Sequence, residues 1–432
     1  MLATFLAVLV TVQNHNTIDS ATVTRVLTQL KTSDSTICQL AGQAMTNYGG
    51  WWGWGGWNHS DPAMPMPRPM PTPMPMPGGS WGGGGGGGGG GGIHIAMHER
   101  GSDINPGVLR AFRAFVRDEN RCVRGIAVRV LGNHGGSGEY DLFISLLRDA
   151  RADLRETGAL GLGEMEDSRA INPLGKALSD DDSAAVRMTA AWALGEIEDK
   201  VAIDALARAL TDRAPEVRRT AAWAIGQIED ARGVRPLTPA VNDPVLEVRI
   251  VAVWSLGEIE DASAVPLLTT ATKDREPRVR QAAAWALGEI ESSPGVAALE
   301  PLVRDPVVSV RKTALWALGE IEEASGVRPV AVGLRDSDPE VRVLAAWALG
   351  EIEDASAVDP LVAALKDSDI DVRATAAWAL GEIQSPRARD GLVAAQSDEA
   401  GSVRRAATWA LRQIEDEDDL NIRIRPRVRV KP

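Results

Sequence analysis

Eight tryptophans, Trp192, Trp223, Trp254, Trp285, Trp316, Trp347, Trp378 and Trp409, stand 31 residues apart without a slip. So strict a period confines the chain to folds that repeat one supersecondary unit. Arginines keep the same step at Arg187, Arg218, Arg249, Arg280, Arg311, Arg342, Arg373 and Arg404. Two units upstream carry Arg124 and Arg155, with one extra residue before the third. Six residues ahead of each arginine lies an aspartate: Asp118, Asp149, Asp181, Asp212, Asp243, Asp274, Asp305, Asp336, Asp367 and Asp398. Ten units therefore share one frame.

Within a unit, the segment 341–352 (VRVLAAWALGEI) places Val341, Ala345, Ala348, Leu349 and Ile352 on one helical stripe. A shorter apolar stripe over 358–365 predicts a helix before the next aspartate, and Asp, Ser and Pro mark the turn between them. A hairpin of this size buries no core alone, so it must stack on its neighbours. The expected fold class is all-α, a right-handed α–α superhelix of about ten helical hairpins. With helices 8–10 Å apart, it would be a curved rod on the order of 90 Å long.

The recurring Asp-x5-Arg followed by Ala-Ala-x-Ala-Leu-Gly-x-Ile resembles the short HEAT-like repeats of the phycobilisome lyase family, across most of residues 105–416. The resemblance implies that the aspartates and arginines of successive turns form a stacked ladder. It also implies that the second helices line a concave face where partners bind. Asp212 with Arg218, Asp243 with Arg249, Asp274 with Arg280, Asp305 with Arg311, Asp336 with Arg342, and Asp367 with Arg373 are then structural. Physical chemistry agrees, because an aspartate ahead of a helix caps free N–H groups and an arginine can fork between carboxylates.

Outside the array the composition changes. Residues 1–46 hold an apolar stretch from Leu2 to Val12, signal-like but lacking a basic flank, and a segment around Leu30–Asp34 that aligns as a degenerate capping repeat with Cys38 in place of the arginine. Residues 47–93 combine a Gly/Trp patch, alternating Met-Pro and an unbroken glycine run, the composition of a disordered tether. Met64, Met66, Met70, Met74 and Met76 are soft copper(I) donors near His59, His94 and His98, yet nothing fixes their geometry. Cys38 and Cys122 are too few for a disulfide scaffold and read as small buried apolar residues. In residues 417–432 an acidic start gives way to Arg423, Arg425, Arg427, Arg429 and Lys431 at every second position, which puts them on one side of an extended chain.

On the second helix, the wheel sets Trp347 and Glu351 together on an exposed flank away from the apolar stripe. The same pairing recurs as Trp192 with Glu196, Trp254 with Glu258, Trp285 with Glu289, Trp316 with Glu320 and Trp378 with Glu382, while Gln227 and Gln413 follow Trp223 and Trp409. Two readings compete: indoles packed sideways across the neighbouring helix, or a ligand strip of ring faces and carboxylates suited to cations, basic peptides or sugars. Charge favours cations, since residues 101–419 carry 37 basic against 55 acidic side chains, a net of −18. It disfavours nucleic acid.

No catalytic constellation emerges. The five histidines, His15, His59, His94, His98 and His134, all lie outside the eight regular units, unlike the His-Glu pairs of the di-iron hydroxylases that resemble the chain in architecture. The glycine run lacks the Gly-Lys-Ser/Thr ending of a phosphate loop, and no cofactor is implied. The expected function is a non-enzymatic scaffold that binds a basic or extended protein partner on its Trp/Glu face, with self-association through the basic tail. The alternatives are a lyase- or hydroxylase-related enzyme or accessory subunit, and an exported carbohydrate-binding surface protein. No apolar run is long enough to span a membrane; localisation stays open between cytoplasm and export.

Overall fold

The computed structural model describes residues 19–31 and 104–424, with side chains through 415. The signal-like start, Cys38, the Gly/Trp/Met-Pro segment with its methionines and histidines, and residues 425–432 lie outside the described residues. All regular elements among those described are helical. They fall into two compact units, one holding residues 19–31 and 104–240 and the other residues 241–424.

One repeat shows how the local sequence builds the hairpin. Asp338 accepts the N–H of Glu340 at 2.9 Å and Pro339 occupies the first turn, so the second helix starts cleanly and runs Pro339–Glu351. It ends with Glu353 in the left-handed region, φ 51°, donating its N–H to the Gly350 carbonyl. Asp354 then caps the short 3-10 turn Ala355–Ala357 through the Ser356 N–H, and the first helix of the next repeat follows at Val358–Ala364. Within each unit the first helices pack on the second helices of their own repeats, and successive second helices pack on one another, as Val308–Glu320 does on Pro339–Glu351. The expected stripe of Val341, Ala345, Ala348, Leu349 and Ile352 is buried, but so are Leu344 and Ala346. A helix flanked on both sides by like helices keeps only a narrow outer strip, which here is Val343, Trp347 and Glu351, each half-buried.

The expected Asp/Arg ladder is present, with its rungs running between repeats. Arg280 donates from Nε and Nη2 to both carboxylate oxygens of Asp305, at 2.6 and 2.9 Å. Its Nη1 meanwhile bonds the carbonyl of Asp274 in its own turn at 2.9 Å. The Asp305 carboxylate also accepts the Val307 N–H. Arg249 grips Asp274, Arg311 grips Asp336, Arg342 grips Asp367 and Arg373 grips Asp398 in the same way. In the first unit Arg155 holds Asp181 and Arg187 holds Asp212, while Arg218 bonds the Asp212 carbonyl. Thus the carboxylate of Asp212 belongs to the preceding repeat's arginine, as a ladder between successive turns requires, while Arg218 holds the Asp212 carbonyl within the repeat. Burial pushes Asp212, Asp305 and Asp336 up, but the arginine and the backbone N–H outweigh it and hold them below the ordinary carboxylate value.

The first repeats depart from this pattern. Lys31, ending the helix Ser20–Lys31, takes Asp118 at 2.5 Å, and that helix packs on Pro106–Arg113. Arg124 turns its Nε to Thr157 at 2.9 Å, and Arg117 takes Asp149 at 2.8 Å. Cys122 is disulfide-bonded, which corrects its reading as a small buried apolar residue. At the other end the last helix runs Gly401–Ile424, so residues 421–424 are helical where an extended tail was expected. The run 415–419 contains no helix breaker, and the first proline is Pro426.

Two consequences follow from the ladder. Arg280→Ala strands the buried Asp305 carboxylate and is expected to destabilise the array by about 3 kcal/mol, the usual range for breaking one partner of a buried pair. Because Asp305 titrates below its unfolded value, this stabilisation is present above about pH 4 and is lost as pH falls through the depressed value. Denaturant unfolding of the variant at pH 7 and pH 3 checks both, and an equal deficit at the two pH values would contradict the assignment.

Candidate functional site

The second helices bring the tryptophans together with the glycines of the Ala-Leu-Gly-Glu motif. A Cβ placed on Gly257, Gly288, Gly319 or Gly350 would lie 2.8 Å from Cζ3 of Trp285, Trp316, Trp347 or Trp378 in the following repeat. Gly163 and Gly195 meet Trp192 and Trp223 at 2.7 and 2.9 Å, and Gly381 meets Trp409. Each of these seven indoles therefore lies against the glycine of the repeat before it. Trp223, Trp285 and Trp316 are only 1%, 3% and 4% exposed, and Trp192, Trp254, Trp347, Trp378 and Trp409 are half-buried. Trp254 and Trp285 stack with centroids 6.3 Å apart and planes 8° from parallel.

The indoles thus pack sideways across the neighbouring helix, one of the two expected readings, and Trp223, Trp285 and Trp316 leave almost no ring surface exposed. Helical-wheel reasoning placed them on a free flank because it treated the helix as bounded on one side only. A glycine three residues after every one of these tryptophans except Trp409 is the available signal, since it marks where a neighbouring ring needs room. Gly288→Ala forces the Trp316 ring and the Ala317 backbone away and is expected to cost about 2 kcal/mol despite alanine's better helix propensity. Thermal unfolding measures this, and an unchanged or raised midpoint would show that the contact is slack.

The glutamates behave differently. Glu196, Glu258, Glu289, Glu320, Glu351 and Glu382 end their helices half-buried, where the negative end of the helix dipole already disfavours a carboxylate. A second acidic series stands two residues on. Glu166, Glu198, Glu229, Glu260, Glu291, Glu322 and Glu353 are exposed and left-handed with φ between 48° and 52°, a position where glycine is the usual occupant. Only Gln384 breaks that series. Sequence reasoning passed over these glutamates as ordinary solvated charges.

The two series press on each other. Burial pushes Glu351 up, and the charges of Glu320, Glu382, Glu322 and Glu353 push it further. Glu320 is raised by burial and by Glu291, Glu289 and Glu322, and Glu382 by burial and Glu353. The indole N–H of Trp378 partly offsets the effect on Glu382. In the first unit, burial, Glu164 and Glu198 push Glu196 up to about 7. There the chain supplies its own counter-cation: Arg129 Nε lies 3.2 Å from Glu164, and Asn133 bonds the other oxygen at 3.2 Å. Arg129 occupies the place that tryptophan holds in later repeats.

Because these glutamates titrate above their unfolded value near 4.5, their ionisation opposes folding. The deficit is complete above the raised values and disappears as pH falls through them toward 4.5. Glu320→Gln/Glu351→Gln/Glu382→Gln is therefore expected to be more stable than the parent at pH 8, with the gap closing by pH 4.5. Parallel denaturation curves at the two pH values test this, and a constant gap would disprove it.

Among the described residues no group of three or more His, Cys, Asp or Glu is arranged to hold a metal, and no helix is long and apolar enough to cross a membrane. His134 is half-buried, its Nδ1 has no hydrogen-bond partner among the described residues, and burial lowers its pKa.

Comparison with curated protein sequences finds no match. Solved structures resemble the chain in fold. An engineered protein is 23% identical, with a TM-score of 0.44 over 71% of this chain and 98% of its own. Human deoxyhypusine hydroxylase, solved with glycerol, is 24% identical, with a TM-score of 0.28 over 59% of this chain and 99% of its own. The CpcE–CpcF complex of phycocyanin lyase from a Nostoc species is 22% identical, with a TM-score of 0.34 over 51% of this chain and 92% of that chain. The HEAT repeats family matches in seven overlapping stretches, 109–190, 140–226, 171–246, 208–287, 234–319, 270–332 and 327–412. With that match running through most of the chain, on helical hairpins joined by the Asp/Arg ladder, the protein belongs to the HEAT repeat family.

Proposed function

We propose that this protein is a non-enzymatic scaffold whose glutamate edge docks a basic, extended segment of a protein partner. The observation that carries this reading is the energetic cost of the edge to the fold. Glu320, Glu351 and Glu382 are partly desolvated, set at helix C-termini and raised by like charges. The exposed glutamates beside them hold left-handed backbone at a cost on the order of 1 kcal/mol each. Folding alone would favour glutamine in the first series and glycine in the second. A row of lysine or arginine side chains relieves the repulsion in every repeat at once.

The Arg129–Glu164 pair supports the same chemistry, because it places a guanidinium of the chain itself on the first carboxylate of the series. Guanidinium suits the task better than ammonium, since its planar fork matches a carboxylate. Uniform repeats suit an extended ligand with regularly spaced charges better than a single irregular surface.

Fluorescence anisotropy with a labelled arginine-rich peptide provides the test. The full chain is expected to bind it in low salt, and Glu320→Gln/Glu351→Gln/Glu382→Gln to bind at least about tenfold more weakly, the equivalent of 1.4 kcal/mol. That variant is expected to be at least as stable as the parent at neutral pH, and a denaturation curve on the same preparation separates weakened binding from unfolding. Equal binding by parent and variant would refute the proposal.

A further inference from the structure

Within residues 241–424 the second helices run side by side from the ladder to the glutamates. Arg311 meets Asp336 at one end, and Trp347 covers Gly319 near the other. Thirteen helical residues separate the two edges by about 20 Å. At the ladder edge Lys273, Arg304 and Arg335 each stand just before a ladder aspartate, one repeat apart. All three are exposed and form no ion pair with a described residue.

Between the segments Glu300–Arg304 and Val327–Gly333 lies an open groove. Val303, Ala331 and Val332 line it together with Arg304, Arg328 and Arg335, and with Arg311, which is held by Asp336. Its two carboxylates are already engaged, Asp305 by Arg280 and Asp336 by Arg311. Arg328 also reaches Glu300 at 3.1 Å, but that pair is exposed and weakly held. The groove is thus a source of unused guanidinium donors on an array that is acidic elsewhere.

We propose that this basic groove receives the glutamate edge of a second copy of the chain. This rests on the reading that the glutamate edge binds cations, and names the partner. Arg304 and Arg335 are one repeat apart, as are Glu322 and Glu353 on the opposite edge. Two copies with a common repeat spacing that dock one carboxylate bring the next into register. Glu322 and Glu353 are exposed and their carboxylates lead outward from a turn, so they reach a groove without unfolding either copy. The contact joins unlike surfaces, so it adds copies laterally in rows rather than closing a twofold dimer.

Sedimentation velocity of the full chain tests the proposal. Concentration-dependent assembly is expected near 0.1 M salt, with dissociation near 1 M, where the screening length falls to about 3 Å. Arg304→Glu/Arg335→Glu and Glu322→Lys/Glu353→Lys are each expected to raise the assembly midpoint at least about tenfold. Mixing the two variants should restore assembly, since each then presents the charge that the other lacks. All four positions are exposed, so the folded state, checked by circular dichroism, should not change. A parent that sediments as a monomer, either variant assembling like the parent, or a mixture that stays monomeric would overturn the proposal. Capture of a labelled polyglutamate peptide in the groove of a monomeric parent would overturn it too, in favour of a separate acidic partner. The arginine-rich peptide titration on the same preparation separates the two failures: binding without assembly sinks only the second-copy partner, and absence of binding sinks the reading of the glutamate edge.

Discussion

A helical hairpin of about 31 residues has too little interior to stand alone, and the guanidinium–carboxylate rung between repeats is where this chain resolves that problem. Each rung satisfies a buried arginine at three points: two oxygens of the next repeat's aspartate and one carbonyl of its own turn. The aspartate in turn caps the backbone that starts its own second helix. One side-chain pair therefore fixes the turn within a repeat, the offset between repeats and the start of the helix that carries the tryptophan and the glutamates. Everything at the far end of that helix inherits its position from the rung.

The far end is assembled on a different principle. Indole over glycine fills the seam between repeats, and Glu351 and its equivalents are left where helix end, partial burial and like charge all disfavour them. The ladder edge lowers aspartate pKa values while the glutamate edge raises its own, so a single array contains one edge that favours ionised carboxylates and one that resists them. That asymmetry reflects which side chains have arginines within reach.

The hairpin, the repeat length and the ladder residues were legible because each is a matter of period and spacing, which a single chain displays openly. The helix expected over 341–352 is observed at Pro339–Glu351, and the one expected over 358–365 at Val358–Ala364. Three features were not legible for physical reasons. The partner of Asp212 is Arg187 in the preceding repeat, since spacing along the chain does not say which way an arginine reaches. Trp285 is buried because a wheel drawn for one helix omits the neighbour on its other flank. The left-handed glutamates escaped notice because nothing in the residue type announces that backbone; the Asp that follows several of them, capping the next turn, was the nearest hint.

The placement of rings such as Trp316 on the glycine of the repeat before has an optical consequence. A tryptophan in this array reports on a junction: if two adjacent hairpins part, the indole of the later one is uncovered while both hairpins stay helical. Emission from Trp316 thus follows the joint between its own hairpin and the one that carries Gly288, and amide ellipticity follows the hairpins themselves. Disagreement between the two signals during unfolding would measure how far the joints loosen before the helices melt.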